Sequence, residues 1–275
     1  MNPPDTVVGE KFFRTSDDVE LKIFDFTPKG CKTGDSILVF VAGWISQISG
    51  WKDVLKELTP VYRTLYIETR EKISARLPDR KGLDFSIERM ALDIDEILQK
   101  EIAKDQIFYF AGSSMGATAI MDYLALGKKQ PKESYLISPV CKFNIPKWAL
   151  ALVKVSHPSF YSAIKPVAKW YLRNFRLDRQ KEPEQVAKYE GTIDAAEPKR
   201  LKATTLAVSR YSLWEKLPRL KSPVCIIGAH SDTLHGVDKL RQMTAKIPSA
   251  TLKLMQSNKE THSERAGIFI REQMR

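Results

Sequence analysis

Cysteine is scarce: the 275 residues hold three, Cys31, Cys141 and Cys225, odd in number and far apart. That excludes a disulfide framework as the source of stability and points to reduced thiols, two of them in apolar surroundings. No apolar run approaches the roughly 20 residues that span a bilayer as a helix. The opening M-N-P-P-D-T-V-V-G-E lacks a basic segment followed by an apolar one, so nothing resembles a secretory signal and the cytoplasm is the expected compartment. There is no internal repeat and no low-complexity segment. Acidic residues fall short of basic ones, 33 against 44, giving a formal charge of +11. Such an excess could serve nucleic acid, an anionic membrane or an acidic ligand. No nucleic-acid motif accompanies it, so nucleic acid is not the expected partner.

What is present is an alternation of strand and helix patterns. Val19–Phe26 alternates apolar and polar residues and is expected as an edge strand. Ser36–Ala42 is a continuous apolar run, expected as a central strand, and Gly43-Trp44 opens the loop that follows. Trp51, Val54, Leu55 and Leu58 mark a helix, and Thr64–Glu68 a further strand. The segment T-R-E-K-I-S-A-R-L-P-D-R-K-G after it is so charged that it is expected to be exposed. Ser86 can cap a helix whose apolar stripe runs from Ile87 to Leu98. Tyr135–Ser138, Pro223–Gly228 and Ala250–Met255 are expected as later strands, with helices over Val237–Ile247 and Ser263–Met274. The pattern predicts an α/β fold, a mostly parallel sheet covered on both faces, with functional residues at the C-terminal ends of its strands.

The stretch Q-I-F-Y-F-A-G-S-S-M-G-A-T-A-I-M-D-Y-L-A-L-G, residues 106–127, concentrates the chemistry. A buried strand runs into G-x-S-x-G, with Gly112 and Gly116 flanking Ser114, and a helix of small residues follows. The pattern fits a nucleophile elbow, although an ordinary glycine-flanked turn reads the same way until partners are found. A serine hydroxyl needs a base and an orienting carboxylate. The chain has four histidines. His262 follows the last strand and is the expected base, with His235 in reserve. Asp232, beyond the preceding strand in G-A-H-S-D-T-L-H, is the expected acid, with Asp238 in reserve and a turn or capping role as its competitor. His230, Asp232 and His235 could also be metal ligands, but a catalytic zinc needs good geometry among its protein ligands, and neither metal nor cofactor is expected. The amide of Met115 and that of Trp44 are the expected oxyanion donors, Gly43 letting the backbone come close to substrate.

Taken together, G-S-S-M-G at Gly112–Gly116, V-F-V-A-G-W before the first crossover helix, G-A-H-S-D ending at Asp232 and E-T-H-S-E around His262 resemble the α/β-hydrolase superfamily. Within it the chain is most similar to lid-bearing serine esterases and monoacylglycerol-lipase-like members. The resemblance implies Ser114 as nucleophile, Asp232 as acid, His262 as base, and an acyl-enzyme on the path. A serine at the elbow sets the chain apart from relatives with an aspartate nucleophile. The family often carries His-Gly at the oxyanion loop, where this chain has Ala42-Gly43. It also carries Asp-x-Arg-Gly-x-Gly where this chain has Glu68-Thr69-Arg70-Glu71-Lys72-Ile73.

From Cys141 to about Lys221 the alternation stops. Residues 141–221 are expected to form a helical cap inserted into a core made of 1–140 and 222–275. Lys142–Lys221 holds 17 Lys and Arg against 7 Asp and Glu, so it carries ten of the eleven excess positive charges. Trp148, Phe160 and Trp170, interleaved with Lys154, Lys165, Lys169 and Arg173, would line an acyl pocket or meet an anionic membrane. The expected activity is hydrolysis of carboxylic esters, with a small-molecule ester or lipid of medium or long acyl chain as substrate. A thioesterase, acyltransferase or C–C bond hydrolase would use the same residues. A non-catalytic binding protein on the same fold is the alternative of another class.

Overall fold

A computed structural model describes residue 3, residues 5–32, 34–157, 183–231 and 236–274, and residues 160, 161, 165, 166, 169 and 170. Among the described residues eight strands form one sheet: β1 (Thr6–Arg14), β2 (Glu20–Pro28), β3 (Ile37–Val41), β4 (Arg63–Ile67), β5 (Phe108–Ser113), β6 (Ser134–Ile137), β7 (Val224–Ala229) and β8 (Ala250–Met255). Their order is β1-β2-β4-β3-β5-β6-β7-β8. From β4 to β8 all pairings are parallel, whereas β1 pairs with β2 and β2 with β4 antiparallel. Every residue of β3, β5, β6 and β7 is buried, as continuous apolar runs require of strands covered on both faces.

Helices cover both faces. On one side α1 (Lys52–Leu58) and α8 (Glu264–Gln273) bring Val54, Leu55, Leu58, Ala266 and Ile270 against Phe40, Tyr66 and Tyr109. On the other, α2 (Ile87–Glu101), α3 (Ser114–Ala125) and α7 (Val237–Lys246) pack Met90, Ile94, Ile120, Leu240 and Met243 on Val39, Phe110 and Ile226. α2 begins where expected: the Ser86 hydroxyl accepts from the Arg89 amide at 3.1 Å, and Glu88 lies in the first turn. Between β6 and β7 lie α4 (Lys147–Val155), α5 (Pro183–Ala195) and α6 (Pro198–Val208). α6 is started by Pro198 and by the Glu197 carboxylate, which accepts from the Lys199 and Arg200 amides.

Two expectations are corrected. The Val19–Phe26 strand is not at the edge: it is β2, held between β4 and a strand the sequence concealed, β1, which is largely exposed and carries Gly9, Glu10 and Lys11 in its middle. Second, the charged segment after β4 does not lie exposed at its start. Thr69, Arg70, Glu71 and Lys72 are all buried. Burial is sustained because the charges find partners on the spot, as buried charges must: Arg70 pairs with Asp17 and Asp93, and Glu71 accepts from Thr69 Oγ1 at 2.8 Å.

The three cysteines are free thiols, Cys141 and Cys225 buried. Burial pushes the Cys141 thiol up to about 12, favouring its protonated form. Among the described residues no helix is long and apolar enough to cross a membrane.

Candidate active site

The loops that follow β3, β4, β5, β7 and β8 all leave the same, C-terminal edge of the parallel sheet. In the middle stands the junction of β5 and α3. Ser114 has φ +46°, in the left-handed region, a conformation that costs a non-glycine residue roughly 1–3 kcal/mol. The flanking glycines are what allow the turn to sit so tightly on β3. A Cβ on Gly116 would lie 2.3 Å from the Val41 carbonyl oxygen and 2.4 Å from that of Ala42; one on Gly112 would lie 2.6 Å from Ile120 Cδ1. Met115 occupies the first turn of α3, where backbone amides have no carbonyl within the helix to bond. Behind the turn, Thr118 Oγ1 lies 2.9 Å from the Ser114 carbonyl and accepts from the Val140 amide at 3.0 Å, tying the elbow to the exit of β6.

The loop after β3 rests directly on this turn. A Cβ on Gly43 would stand 3.3 Å from Ser114 Cβ. The Gly43 amide donates to Ser113 Oγ at 2.9 Å, so the other serine of G-S-S-M-G fastens the loop. The Trp44 side chain is half-buried and packs on the larger apolar cluster. Ile45 has φ +49°, an outlier for a β-branched residue, and its amide donates to Glu71 Oε1 at 3.3 Å. Glu71 thus braces the loop from the end of β4. Its other oxygen, Oε2, is buried without a hydrogen-bond partner among the described residues. The same corner reaches the helical segment, because the Arg200 guanidinium of α6 donates to the Lys72 carbonyl. Burial lowers the Arg200 pKa from its ordinary value, against the raising influence of Glu197 and Glu71.

His262 closes a short 3₁₀ turn, Glu260–His262, between β8 and α8. Its Nδ1 lies 3.0 Å from the Asn258 carbonyl, which can only accept, and 3.0 Å from Thr261 Oγ1. An Nδ1–H would find its acceptor in the Asn258 carbonyl. The imidazole packs on Trp51 with ring centroids 4.5 Å apart, and the Trp51 indole donates to Ser46 Oγ at 3.0 Å. Trp51, buried against Phe40, so joins the loop after β3 to the histidine. Sequence reasoning placed Trp51 in a helix core; its spacing could not show that the indole also meets the loop and the imidazole.

Asp232 and His235 lie outside the described residues. The chain approaching them is placed, since His230 N donates to Met255 O at 2.9 Å and the Asn258 amide to Ser231 Oγ at 3.3 Å, side by side with the loop of His262. Asp238, the reserve acid, starts α7 with its side chain 88% exposed beside Arg241. His230 is exposed, as is His157 at the end of α4. Trp148, Phe160 and Trp170 are also exposed.

The strand order, the covered parallel sheet and the strand–turn–helix junction at Ser114 define an α/β hydrolase. The family model described as serine aminopeptidase, S33, matches residues 78–263, and the chain belongs to that family. The match begins after β3 and β4, so the Gly43–Ile45 loop and Glu71 fall outside it. Three solved structures share the fold almost end to end. An esterase from Thermogutta terrifontis with malate bound is 19% identical, with TM-score 0.72 over 97% of this chain and 98% of that one. The enol-lactonase of Burkholderia xenovorans LB400 is 16% identical, with TM-score 0.77 over 96% and 98%. The esterase EaEST of Exiguobacterium antarcticum is 17% identical, with TM-score 0.73 over 97% and 98%. At these identities the likeness is one of fold. No curated protein matches the sequence.

Proposed function

We propose that the protein is a serine hydrolase that cleaves carboxylic esters of medium or long acyl chain through an acyl-enzyme on Ser114. The observation that carries this reading is the positive φ of Ser114 at the β5–α3 junction, a strain that fits a hydroxyl held out at the end of the sheet. In the proposed cycle Nε2 of His262 takes the proton as Ser114 Oγ attacks the carbonyl carbon. Asp232 steadies the imidazolium. The oxyanion is met by the amides of Met115 and Trp44; the Gly43 amide is already committed to Ser113, which supports the assignment to Trp44. Collapse breaks the ester C–O bond, the alcohol leaves with the proton from His262, and water attacks the acyl-enzyme by the same route in reverse. The helices between β6 and β7 act as a cap over the site.

A fluorophosphonate probe tests the reading. Labelling is expected on the peptide that contains Ser114 and is expected to vanish in Ser114→Ala; no labelling of folded protein, or labelling elsewhere, would overturn it. A series of p-nitrophenyl esters is expected to show octanoate and longer chains turned over well and acetate poorly. Faster turnover of aminoacyl p-nitroanilides than of any ester would instead favour the peptidase chemistry in the family's description.

Glu71 gives a second prediction. If it braces the strained loop at Ile45, Glu71→Ala should lower kcat on the preferred ester about tenfold with little change in KM, the loss of one well-placed acceptor. Glu71→Gln keeps an oxygen for the Ile45 amide and should stay near wild type. Equal kcat in all three proteins would remove the bracing role.

A further inference from the structure

α4 turns the wrong face to water. Amphipathic helices of globular proteins bury their apolar stripe, yet no residue of α4 is buried. Trp148, Leu152 and Val155, spaced to share one face of the helix, are 69%, 58% and 83% exposed, and Ala151 lies exposed among them. The inward side is formed by Ala149, Leu150 and Val153, all half-buried. α4 is held from behind: Lys202 of α6 donates to the carbonyls of Lys154 at 2.8 Å and Ser156 at 2.7 Å, satisfying the C-terminal end of the helix. Phe160, 62% exposed, follows shortly after. Single exposed apolar residues are ordinary, but a contiguous row on a fixed helix marks a surface made for contact.

Charge identifies the partner. Lys147 and Lys154, one heptad apart and both exposed, border the apolar row, and exposed Lys142 precedes the helix. Lys165 and Lys169, farther along the segment, do not serve this face, because Asp194 of α5 engages them. We propose that α4 docks on an anionic lipid surface, with Trp148, Leu152 and Val155 entering the headgroup layer and Lys147 and Lys154 lying against lipid phosphates. The inference deepens the esterase reading, since it would bring the site to substrates carried by a membrane, but docking itself does not depend on catalysis.

The experiment is co-sedimentation of the full chain with vesicles of phosphatidylcholine alone and of phosphatidylcholine with phosphatidylglycerol. Binding is expected only to the anionic vesicles and should weaken as salt is raised. Lys147→Glu with Lys154→Glu should reduce it about tenfold or more, since two attractive charges near the surface become two repulsive ones. Leu152→Ser with Val155→Ser should reduce it as well, with the charge unchanged. Circular dichroism and fluorophosphonate labelling check that both variants fold. Absence of binding to anionic vesicles, or binding unchanged in both pairs, would overturn the proposal; a protein partner for this face would give the first of these results. Ser114→Ala should bind as wild type does, so a failure of the esterase reading and a failure of docking give different results.

Discussion

Replacing Ser114 by alanine is expected to lower turnover of the best ester by a factor on the order of 10⁵ to 10⁶, leaving only what the oxyanion donors and substrate binding achieve alone. The size follows from cooperation: a nucleophile, its base and an orienting acid act as a unit, so loss of the first removes the benefit of the others. His262→Ala should therefore cost nearly as much, and the double variant little more than either. Stability adds a readout that catalysis cannot mimic. Ser114 sits at φ +46°, which a glycine adopts freely and an alanine does not. Ser114→Gly and Ser114→Ala lose the same hydroxyl, yet the glycine variant should be the more stable by about 1 kcal/mol in urea titrations. A serine that merely ends a strand would show no such kinetic loss. If the two variants unfold at the same urea concentration, the backbone strain is not stored at this residue.

Much of this site is legible along the chain because its signals are local. The strand into G-x-S-x-G and the helix after it are adjacent in sequence, so an apolar run, two glycines and a helical period suffice to place Ser114 between β5 and α3. Ala250–Met255 is likewise a strand over the very residues expected, since alternation marks a strand with one covered face. β1 escaped for the converse reason: an edge strand bound by backbone pairing to β2 needs little apolar patterning, and its mostly exposed residues show little. Glu71 and Trp51 escaped because their roles are relations between distant segments. Nothing near residue 71 announces that its carboxylate will meet the amide of Ile45, and a charged stretch looks solvent-bound until its partners are known. The segment between β6 and β7 shows a further limit. Composition shows the charge but not its division between lysines paired with Asp194 and lysines bordering the apolar row of α4.

Arg70→Met is expected to destabilise the protein by about 3–5 kcal/mol, the cost of removing a buried cation from half-buried Asp17 and from buried Asp93, which then keeps Arg89 alone. Arg70 is fully buried, and all five of its N–H donors are used. Nε and Nη2 grip Asp93 of α2 at 2.7 and 2.6 Å, while Nη1 and Nη2 reach Asp17 in the β1–β2 turn at 2.8 and 3.0 Å. Nη1 also donates to the Asp84 carbonyl at 2.8 Å. Arg89 bonds the same Asp93 and then Glu96, which accepts from Ser16, so the network ties the first hairpin, the chain after β4 and α2 together. Lysine cannot replace this fork, having a single nitrogen, and Arg70→Lys should recover little of the loss. Adding Asp93→Asn to Arg70→Met should restore part of it, because a buried carboxylate that Arg89 alone would have to offset is then gone; additivity of the two losses would refute the pairing. The pH dependence has a definite sign. The hydrogen bond from Arg70 holds the Asp17 carboxyl well below the usual carboxylate range. A carboxylate depressed in the folded state contributes stability above its unfolded pKa of about 4 and loses it as pH falls toward the folded value. The stability gap between wild type and Arg70→Met should therefore be full at neutral pH and shrink below about pH 4. Arg70 immediately precedes Glu71, so the variant should also lower turnover of the ester substrate proposed above at temperatures where it is still folded.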